Sequence, residues 1–211
     1  MVAVDVEYRL IGKPPSLEPP KVCVEDAKSA MRWVRSHAKE LKIDPNRIAS
    51  AGGSAGGYLA AAVDLVPGWD DPQDDLKVSP KPDAMALFFA VLDTSWNAYG
   101  QKRFGKEWKT YSPVEYVSNS MPPTIIFHGD ADNQVPLATV ENFKAKCDAV
   151  GAKCELDVYP GQRHAFTNKE PYRTLTLNKL IHFFVGIGWL PKDTKDVGVP
   201  AAGTTAEGNG Q

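Results

Sequence analysis

A serine flanked by glycines lies in the middle of residues 52–57, which read Gly-Gly-Ser-Ala-Gly-Gly. This G-x-S-x-G spacing is typical of a nucleophile elbow, a sharp turn from a strand into a helix that holds the serine hydroxyl clear of the chain. Gly52 and Gly56 are expected to leave room for the close approach of that strand and helix. Backbone N–H groups at the start of the helix can face a developing oxyanion. Ser54 is therefore a candidate nucleophile for the cleavage of acyl bonds.

A serine hydroxyl needs a general base, and the base needs a carboxylate that orients it. In the strand–turn–helix setting of this motif, the partners follow the serine in the order Asp or Glu, then His. The histidines are His37, His128, His164 and His182. His37 precedes Ser54, His182 lies inside a predicted helix, and His128 ends a predicted strand. Only His164 combines the right order with a loop that follows a predicted strand, so it is the candidate base.

The carboxylate is expected in the loop over residues 128–136, which also follows an apolar predicted strand. This loop reads His-Gly-Asp-Ala-Asp-Asn-Gln-Val-Pro and contains two aspartates, Asp130 and Asp132. Both stand between Ser54 and His164 in the chain, as the order requires. Because loop aspartates commonly form turns, one of the two is expected to be a turn residue and the other the orienting acid.

The elements that must position these residues alternate along the chain. Apolar or valine-rich runs predict strands at Val2–Tyr8, Arg47–Ala51, Ala84–Leu92, Thr124–Phe127 and Glu155–Tyr159. Apolar periodicity, or a run of small apolar residues, predicts helices over 24–41, 55–63, 137–147 and 172–187. This alternation predicts an α/β fold with a mostly parallel sheet flanked by helices. In such a sheet the site lies at the carboxyl ends of the strands, where the candidate residues fall.

Length and composition predict one globular domain. The chain has 211 residues, of which 43% are apolar and 24% charged; we expect the domain over residues 1–190 and a disordered polar tail over 191–211. The net charge of −2 argues against a nucleic-acid partner. The longest apolar run, Ala84–Leu92, is too short to cross a membrane. No spacing suggests a metal site or a cofactor, and no signal sequence is visible, so the compartment stays open.

Six blocks, taken in order, resemble the alpha/beta-hydrolase superfamily. The first three are Val4-Asp-Val-Glu-Tyr-Arg-Leu10, residues 25–34, and Ile43-Asp-Pro-Asn-Arg-Ile48; the others are residues 52–57, 128–136 and 161–166. Single motifs of this kind are weak, whereas the ordered set is specific. The set covers roughly residues 1–190 and is similar to the esterase/lipase branch, which includes hormone-sensitive-lipase-like and acetyl-esterase-like enzymes.

The resemblance implies a role for each candidate residue. The family pattern His-Gly-x-x-Asp-x-x-Val-Pro assigns the triad acid to Asp132 and leaves Asp130 as a loop residue. It also assigns the nucleophile to Ser54, the base to His164, and one oxyanion donor to the backbone N–H of Ala55. The implied activity is hydrolysis of short-chain or acetyl carboxylic esters through an acyl-enzyme, with no cofactor.

The resemblance is incomplete at the N-terminus. The family has about three more strands before this point, and a His-Gly-Gly loop with further oxyanion donors follows the third. We therefore expect Met1 to be an internal methionine of a longer hydrolase. The third strand would lie between Val2–Tyr8 and Arg47–Ala51, so these two must pair directly or one must leave the sheet. An exposed edge there would favour a homodimer.

Two alternatives stay open from the sequence. A prolyl-oligopeptidase-type serine peptidase has similar motifs, although Gly-Gly-Ser-Ala-Gly-Gly together with the Tyr-Arg-Leu strand is closer to the esterases. A truncated hydrolase-fold protein that binds but turns over little would keep the same residues. Labelling of Ser54 by a fluorophosphonate would separate a catalytic chain from a non-catalytic one.

Overall fold

The computed structural model describes residues 1–11, 19–95 and 105–198. Its strands are β1 (Ala49–Gly53), β2 (Ala84–Phe88), β3 (Thr124–Gly129) and β4 (Cys154–Tyr159). Its α-helices are α1 (Lys21–Ser36), α2 (Ala38–Leu41), α3 (Ala55–Leu65), α4 (Trp108–Tyr111), α5 (Leu137–Val150) and α6 (Tyr172–Gly186). Short 3-10 turns lie at Gly105–Glu107, Pro113–Tyr116 and Phe166–Asn168.

The strands form one parallel sheet in the order β1-β2-β3-β4. The register aligns Gly53 with Phe88 and Phe88 with Phe127, so the carboxyl ends of neighbouring strands lie side by side. Helix α3 packs on β1 and β2, and α5 packs on β3 and β4. The predicted α/β fold with a mostly parallel sheet flanked by helices is confirmed.

Apolar side chains between the sheet and its helices form the core. Helix α3 contributes small residues, which let its axis approach the sheet closely. Fully buried members of this core include Ala61, Met85, Leu87, Ile126 and Phe143. Burying a large apolar side chain stabilises a fold by about 1.5–3 kcal/mol, so these contacts fix the strands whose ends carry the candidate site.

The first helical region is interrupted. The periodicity over residues 24–41 predicts one helix, whereas the structure has α1 and α2 with a break at His37, where φ is −99° and ψ is 15°. The His37 ring stacks on Trp33 at a centroid distance of 4.2 Å, and its Nδ1 lies 2.8 Å from the Trp33 carbonyl oxygen. The apolar face continues across the break, since Ala38 is buried.

The predicted strand at Val2–Tyr8 is wrong. Residues 1–11 form no strand, and Val2, Val4 and Val6 are exposed. An extended segment becomes a strand only when a neighbour accepts its backbone hydrogen bonds, and β1 pairs only with β2 among the described residues. The segment is expected either to pair directly with the strand before Ser54 or to leave the sheet, and it leaves the sheet. Arg9 nevertheless anchors it to α1, because its backbone N–H and its guanidinium donate to the Asp26 carboxylate at 2.6–3.0 Å.

The chain divides into two compact units, Met1–Ala165 and Phe166–Gln211. In the second unit, residues that follow α6 form hydrogen bonds with side chains of that helix. The Asn178 side chain exchanges two hydrogen bonds with the Val197 backbone, and His182 Nε2 lies 2.7 Å from Asp196 Oδ1. Residues 199–211, most of the predicted tail, lie outside the described residues. The predicted domain over 1–190 stays a prediction. No helix in the described part of the chain is long and apolar enough to cross a membrane.

Candidate active site

Ser54 lies at the turn between β1 and α3 in an unusual backbone conformation. Its φ is 54° and its ψ is −116°, in a region that residues with a side chain rarely adopt. Two hydrogen bonds hold the turn there. Ser54 N–H donates to the Phe88 carbonyl at 3.0 Å, and Tyr58 N–H donates to the Ser54 carbonyl at 3.0 Å. The turn is thus tied to β2 on one side and continues into α3 on the other.

Glycines permit the close packing around this turn, but they are not the pair expected. A Cβ on Gly52 would lie 2.4 Å from the Gly56 backbone, and a Cβ on Gly57 would lie 2.5 Å from Ala90 Cβ. A Cβ on Gly56 would meet no described atom within 4 Å. Gly52 therefore behaves as predicted, whereas Gly57 has the packing role that the sequence analysis gave to Gly56.

Three of the predicted site residues come together at the carboxyl ends of the strands. His164 Nε2 lies 2.9 Å from Ser54 Oγ, and His164 Nδ1 lies 2.7 Å from Asp132 Oδ2. The His164 side chain is 9% exposed and that of Asp132 is 0% exposed. Because a carboxylate can only accept, Nδ1 carries a proton towards Asp132, which leaves the Nε2 lone pair for the Ser54 hydroxyl.

The Asp132 carboxylate uses its two oxygens for different partners. Oδ1 accepts from the backbone N–H groups of Gln134 at 2.8 Å and Val135 at 2.9 Å. These bonds fix the carboxylate within its own loop. Oδ2 is then directed at His164.

Asp130 does not contact His164; it joins the two loops. Its Oδ1 accepts from Gly161 N–H at 2.6 Å, and its backbone N–H donates to the Tyr159 carbonyl at 3.2 Å. Asp130 thus connects the loop after β3 to the loop after β4, which carries His164. The structure therefore gives the loop aspartate a bridging function that its turn-forming character does not predict.

Gly129 brings the same two loops into direct contact. A Cβ at this position would lie 2.2 Å from the Gln162 carbonyl oxygen and 2.6 Å from its carbonyl carbon. Beside it, Ala131 N–H donates to the Gln162 carbonyl at 3.0 Å. Only a residue without a side chain fits at this contact, so Gly129 sets the distance between the acid loop and the histidine loop.

Phe89 is a site residue that the sequence analysis missed. It follows β2, and its φ of 38° is positive. Its ring meets the His164 ring edge to face at a centroid distance of 4.9 Å. The same ring lies where a Cβ on Gly53 would be, at 2.7 Å. In the sequence, Phe89 lies inside the apolar run Ala84–Leu92, which does not distinguish it from a core residue.

His128, the histidine set aside in favour of His164, is fully buried at the end of β3. Its Nε2 lies 2.9 Å from the Val135 carbonyl oxygen; because a carbonyl only accepts, Nε2 carries the proton. Its Nδ1 has no hydrogen-bond partner among the described residues. Burial lowers the pKa of His128, which keeps the ring neutral.

The arrangement around Ser54 has the parts needed for acyl transfer. Ala55, the predicted oxyanion donor, is the first residue of α3 and is exposed. Its N–H belongs to the first turn of a helix, where N–H groups have no intrahelical acceptor and the helix dipole favours a negative charge. Candidates for the nucleophile, the base, the orienting carboxylate and one oxyanion donor therefore lie at the carboxyl ends of the strands.

Comparison with known proteins assigns the chain to a family. Residues 1–168 match the family model described as "alpha/beta hydrolase fold". The carboxylesterase/phospholipase LipF of Mycobacterium tuberculosis is 31% identical over 202 residues, which cover 84% of this chain and 52% of LipF. The esterase LipU of the same organism is 31% identical over 182 residues, 76% of this chain and 58% of LipU. The chain thus spans about half the length of these curated relatives.

A solved structure gives the same result. The apo form of Thermogutta terrifontis esterase 2 is similar, with a TM-score of 0.79 and 38% sequence identity, over 88% of this chain and 71% of that one. The agreement in sequence and in structure is sufficient to place the protein. The chain belongs to the alpha/beta-hydrolase fold family.

Proposed function

We propose that this chain is a serine hydrolase that cleaves short-chain carboxylic esters. Ser54 is the nucleophile, His164 the general base, Asp132 the orienting acid, and the Ala55 N–H one oxyanion donor. The observation that carries the proposal is the continuous hydrogen-bonded line from Ser54 Oγ through His164 to Asp132, at 2.9 and 2.7 Å.

The proposed reaction has two halves. In the first, Ser54 Oγ attacks the ester carbonyl while His164 Nε2 takes the hydroxyl proton and then gives it to the leaving alcohol. In the second, His164 takes a proton from water, which attacks the acyl-enzyme carbonyl; the bond to Ser54 Oγ then breaks, His164 returns the proton to Oγ, and the acid is released. Asp132 keeps Nδ1 protonated and stabilises the imidazolium in both halves.

The preference for esters with short acyl chains is drawn from a relative. The Thermogutta terrifontis esterase has been solved with propionate bound and with butyrate bound, at 40% and 38% identity to this chain. It has also been solved phosphorylated by paraoxon. A site built on the same fold supports the proposal of acyl chains of similar length, and of a serine that reacts with organophosphates.

The proposal is tested by rates and by covalent labelling. We expect hydrolysis of p-nitrophenyl acetate and butyrate, with kcat lowered by on the order of 10⁴-fold or more in Ser54→Ala. Paraoxon should add one diethylphosphoryl group to the wild-type chain, detected by intact mass, and none to Ser54→Ala. Equal rates for the two proteins would refute Ser54 as the nucleophile, and a folded wild-type chain that is neither labelled nor active would refute the whole proposal.

Substrate class is tested by a series run in parallel. p-Nitrophenyl acetate, butyrate and octanoate are compared with an aminoacyl anilide at equal concentration. We expect the acetate and butyrate to be the better substrates. Preferential cleavage of the anilide would indicate a peptidase of the prolyl-oligopeptidase type instead.

Two further proposals concern organisation. We propose that residues 1–190 act as the hydrolase domain. A chain that ends at residue 190 tests this proposal and should retain full activity.

We also propose a homodimer. Light scattering after size-exclusion chromatography at several concentrations tests it, and a constant monomer mass would contradict it.

A further inference from the structure

We infer that His128 is a positioning residue for the proposed ester hydrolysis, because it fixes the loop that aims Asp132 at His164. The inference rests on the proposed roles of Ser54, Asp132 and His164. It assigns to His128 no contact with the substrate.

Two hydrogen bonds of opposite direction meet at Val135. Its N–H donates to Asp132 Oδ1 at 2.9 Å, and its carbonyl accepts from His128 Nε2 at 2.9 Å. Val135 is 1% exposed and His128 0% exposed, so water cannot replace either bond. The backbone from Asp132 to Val135 therefore cannot shift without breaking one of them.

The orientation of the Asp132 carboxylate depends on this arrangement. Oδ1 is held by the loop, and Oδ2 lies 2.7 Å from His164 Nδ1. His128 Nε2 lies 3.7 Å from the same Oδ2, so the positive end of its N–H dipole is also near the carboxylate. If the Val135 carbonyl loses its donor, that buried acceptor is unpaired. The loop must then move, and Asp132 with it.

The neutral form of His128 is the one that fits this role. A cation there would compete with His164 for the Asp132 carboxylate, because it would lie 3.7 Å from Oδ2. The ionisable groups that face His128 are Asp132 and His164. With Nε2 bonded to a carbonyl and Nδ1 enclosed without an acceptor, a second proton would have no partner among the described residues.

The test compares two substitutions at this position. His128→Leu removes the donor, whereas His128→Gln places an amide N–H within reach of the Val135 carbonyl. We expect kcat on p-nitrophenyl butyrate to fall about 10- to 100-fold in His128→Leu, with KM changed little, because small misplacement of a catalytic group has effects of this size. His128→Gln should recover most of the loss.

A spectroscopic readout separates positioning from general stability. The His164 Nδ1 proton, shared with Asp132, should give a low-field proton NMR resonance. It should shift or broaden in His128→Leu and return in His128→Gln. Met31→Ala is the control: Met31 is buried in a separate cluster with Val34, Ile48 and Val63, so this variant should lose stability while keeping kcat and the resonance.

Each outcome of these measurements either supports or overturns the positioning role of His128. A wild-type resonance and kcat in His128→Leu would overturn the inference, as would a loss of kcat that Met31→Ala reproduces at equal destabilisation. Should His128→Leu not fold, His128→Asn takes its place, since its amide is too short to reach Val135. The resonance needs no turnover, so a wild-type chain that is inactive on esters refutes the proposed function and still leaves the role of His128 to be tested.

Discussion

The contact between Gly129 and Gln162 allows a direct test of how the two loops of the candidate site are held together. A Cβ at residue 129 would lie 2.2 Å from the Gln162 carbonyl oxygen, while real Cβ contacts essentially never fall below 3.0 Å. Gly129→Ala must therefore separate the loops by about 0.8 Å or more. The atoms in the way belong to the backbone, so no side-chain rotation can relieve the contact.

Moving the two loops apart is expected to lengthen hydrogen bonds of the candidate site. One loop carries Asp132 and the other His164, so the 2.7 Å bond between them must lengthen, or the 2.9 Å bond from His164 to Ser54 must. A misplacement near 1 Å costs on the order of 10²-fold in rate, and overpacking destabilises by about 1–3 kcal/mol. We expect both effects in Gly129→Ala.

Initial rates with p-nitrophenyl acetate measure the first effect, and urea unfolding measures the second. Gly186→Ala is the matched control, because Gly186 lies in α6 and a Cβ there would meet no described atom within 4 Å. It should keep the wild-type kcat. The reasoning fails if Gly129→Ala also keeps the wild-type kcat in folded protein, since the loops would then tolerate the separation.

Three other predictions follow from the same structure. Asp130→Asn removes the negative charge of the side chain that accepts a hydrogen bond from Gly161 N–H at 2.6 Å. We expect kcat on p-nitrophenyl butyrate to fall by about 3- to 10-fold. An unchanged rate would exclude a role for this hydrogen bond between the two loops. Burial lowers the pKa of His128 below its usual 6.5. The stability contributed by the neutral His128 side chain is therefore complete above pH 6.5 and is lost as the pH falls through the folded-state pKa. Urea unfolding at pH 5 and 7.5 should show that wild type loses more stability on acidification than His128→Gln does. Burial raises the pKa of Asp64, whose ion pair is a 3.5 Å contact with the exposed Lys81. Its charged form therefore destabilises the fold at neutral pH, and Asp64→Asn should be more stable than wild type at pH 7 but not below pH 3.8; equal stability at pH 7 would contradict this.

Much of the fold could be predicted from the sequence because its signals are local. The apolar runs before Ser54, Asp132 and His164 each predict a strand, and each strand is found. The strand before Ser54 ends at Gly53, and the other two end at Gly129 and Tyr159, before the loops that carry Asp132 and His164. The parallel sheet follows from the alternation of strands and helices. The order of the motifs adds the expectation that the three residues meet, and the structure brings them within hydrogen-bond distance.

The errors concern contacts between distant parts of the chain. Val2–Tyr8 has the composition of a strand, but strand formation depends on a neighbouring strand that composition cannot reveal. Gly57 and Phe89 were missed for a similar reason. Gly57 packs against Ala90, and Phe89 contacts His164. Neither contact can be predicted from the residues next to Gly57 or Phe89 in the sequence.

The backbone angles at Ser54 have a consequence for how such a sequence evolves. A residue with a side chain at φ 54° and ψ −116° carries strain of about 1–3 kcal/mol, a sizeable fraction of the 5–15 kcal/mol that stabilises a typical domain. Glycine would adopt this turn without that strain, so a lineage free of any demand for chemistry would gain by drifting to glycine here. Under the proposed role of Ser54 as the nucleophile, its hydroxyl is kept at this position at the expense of the conformation that the turn would otherwise prefer.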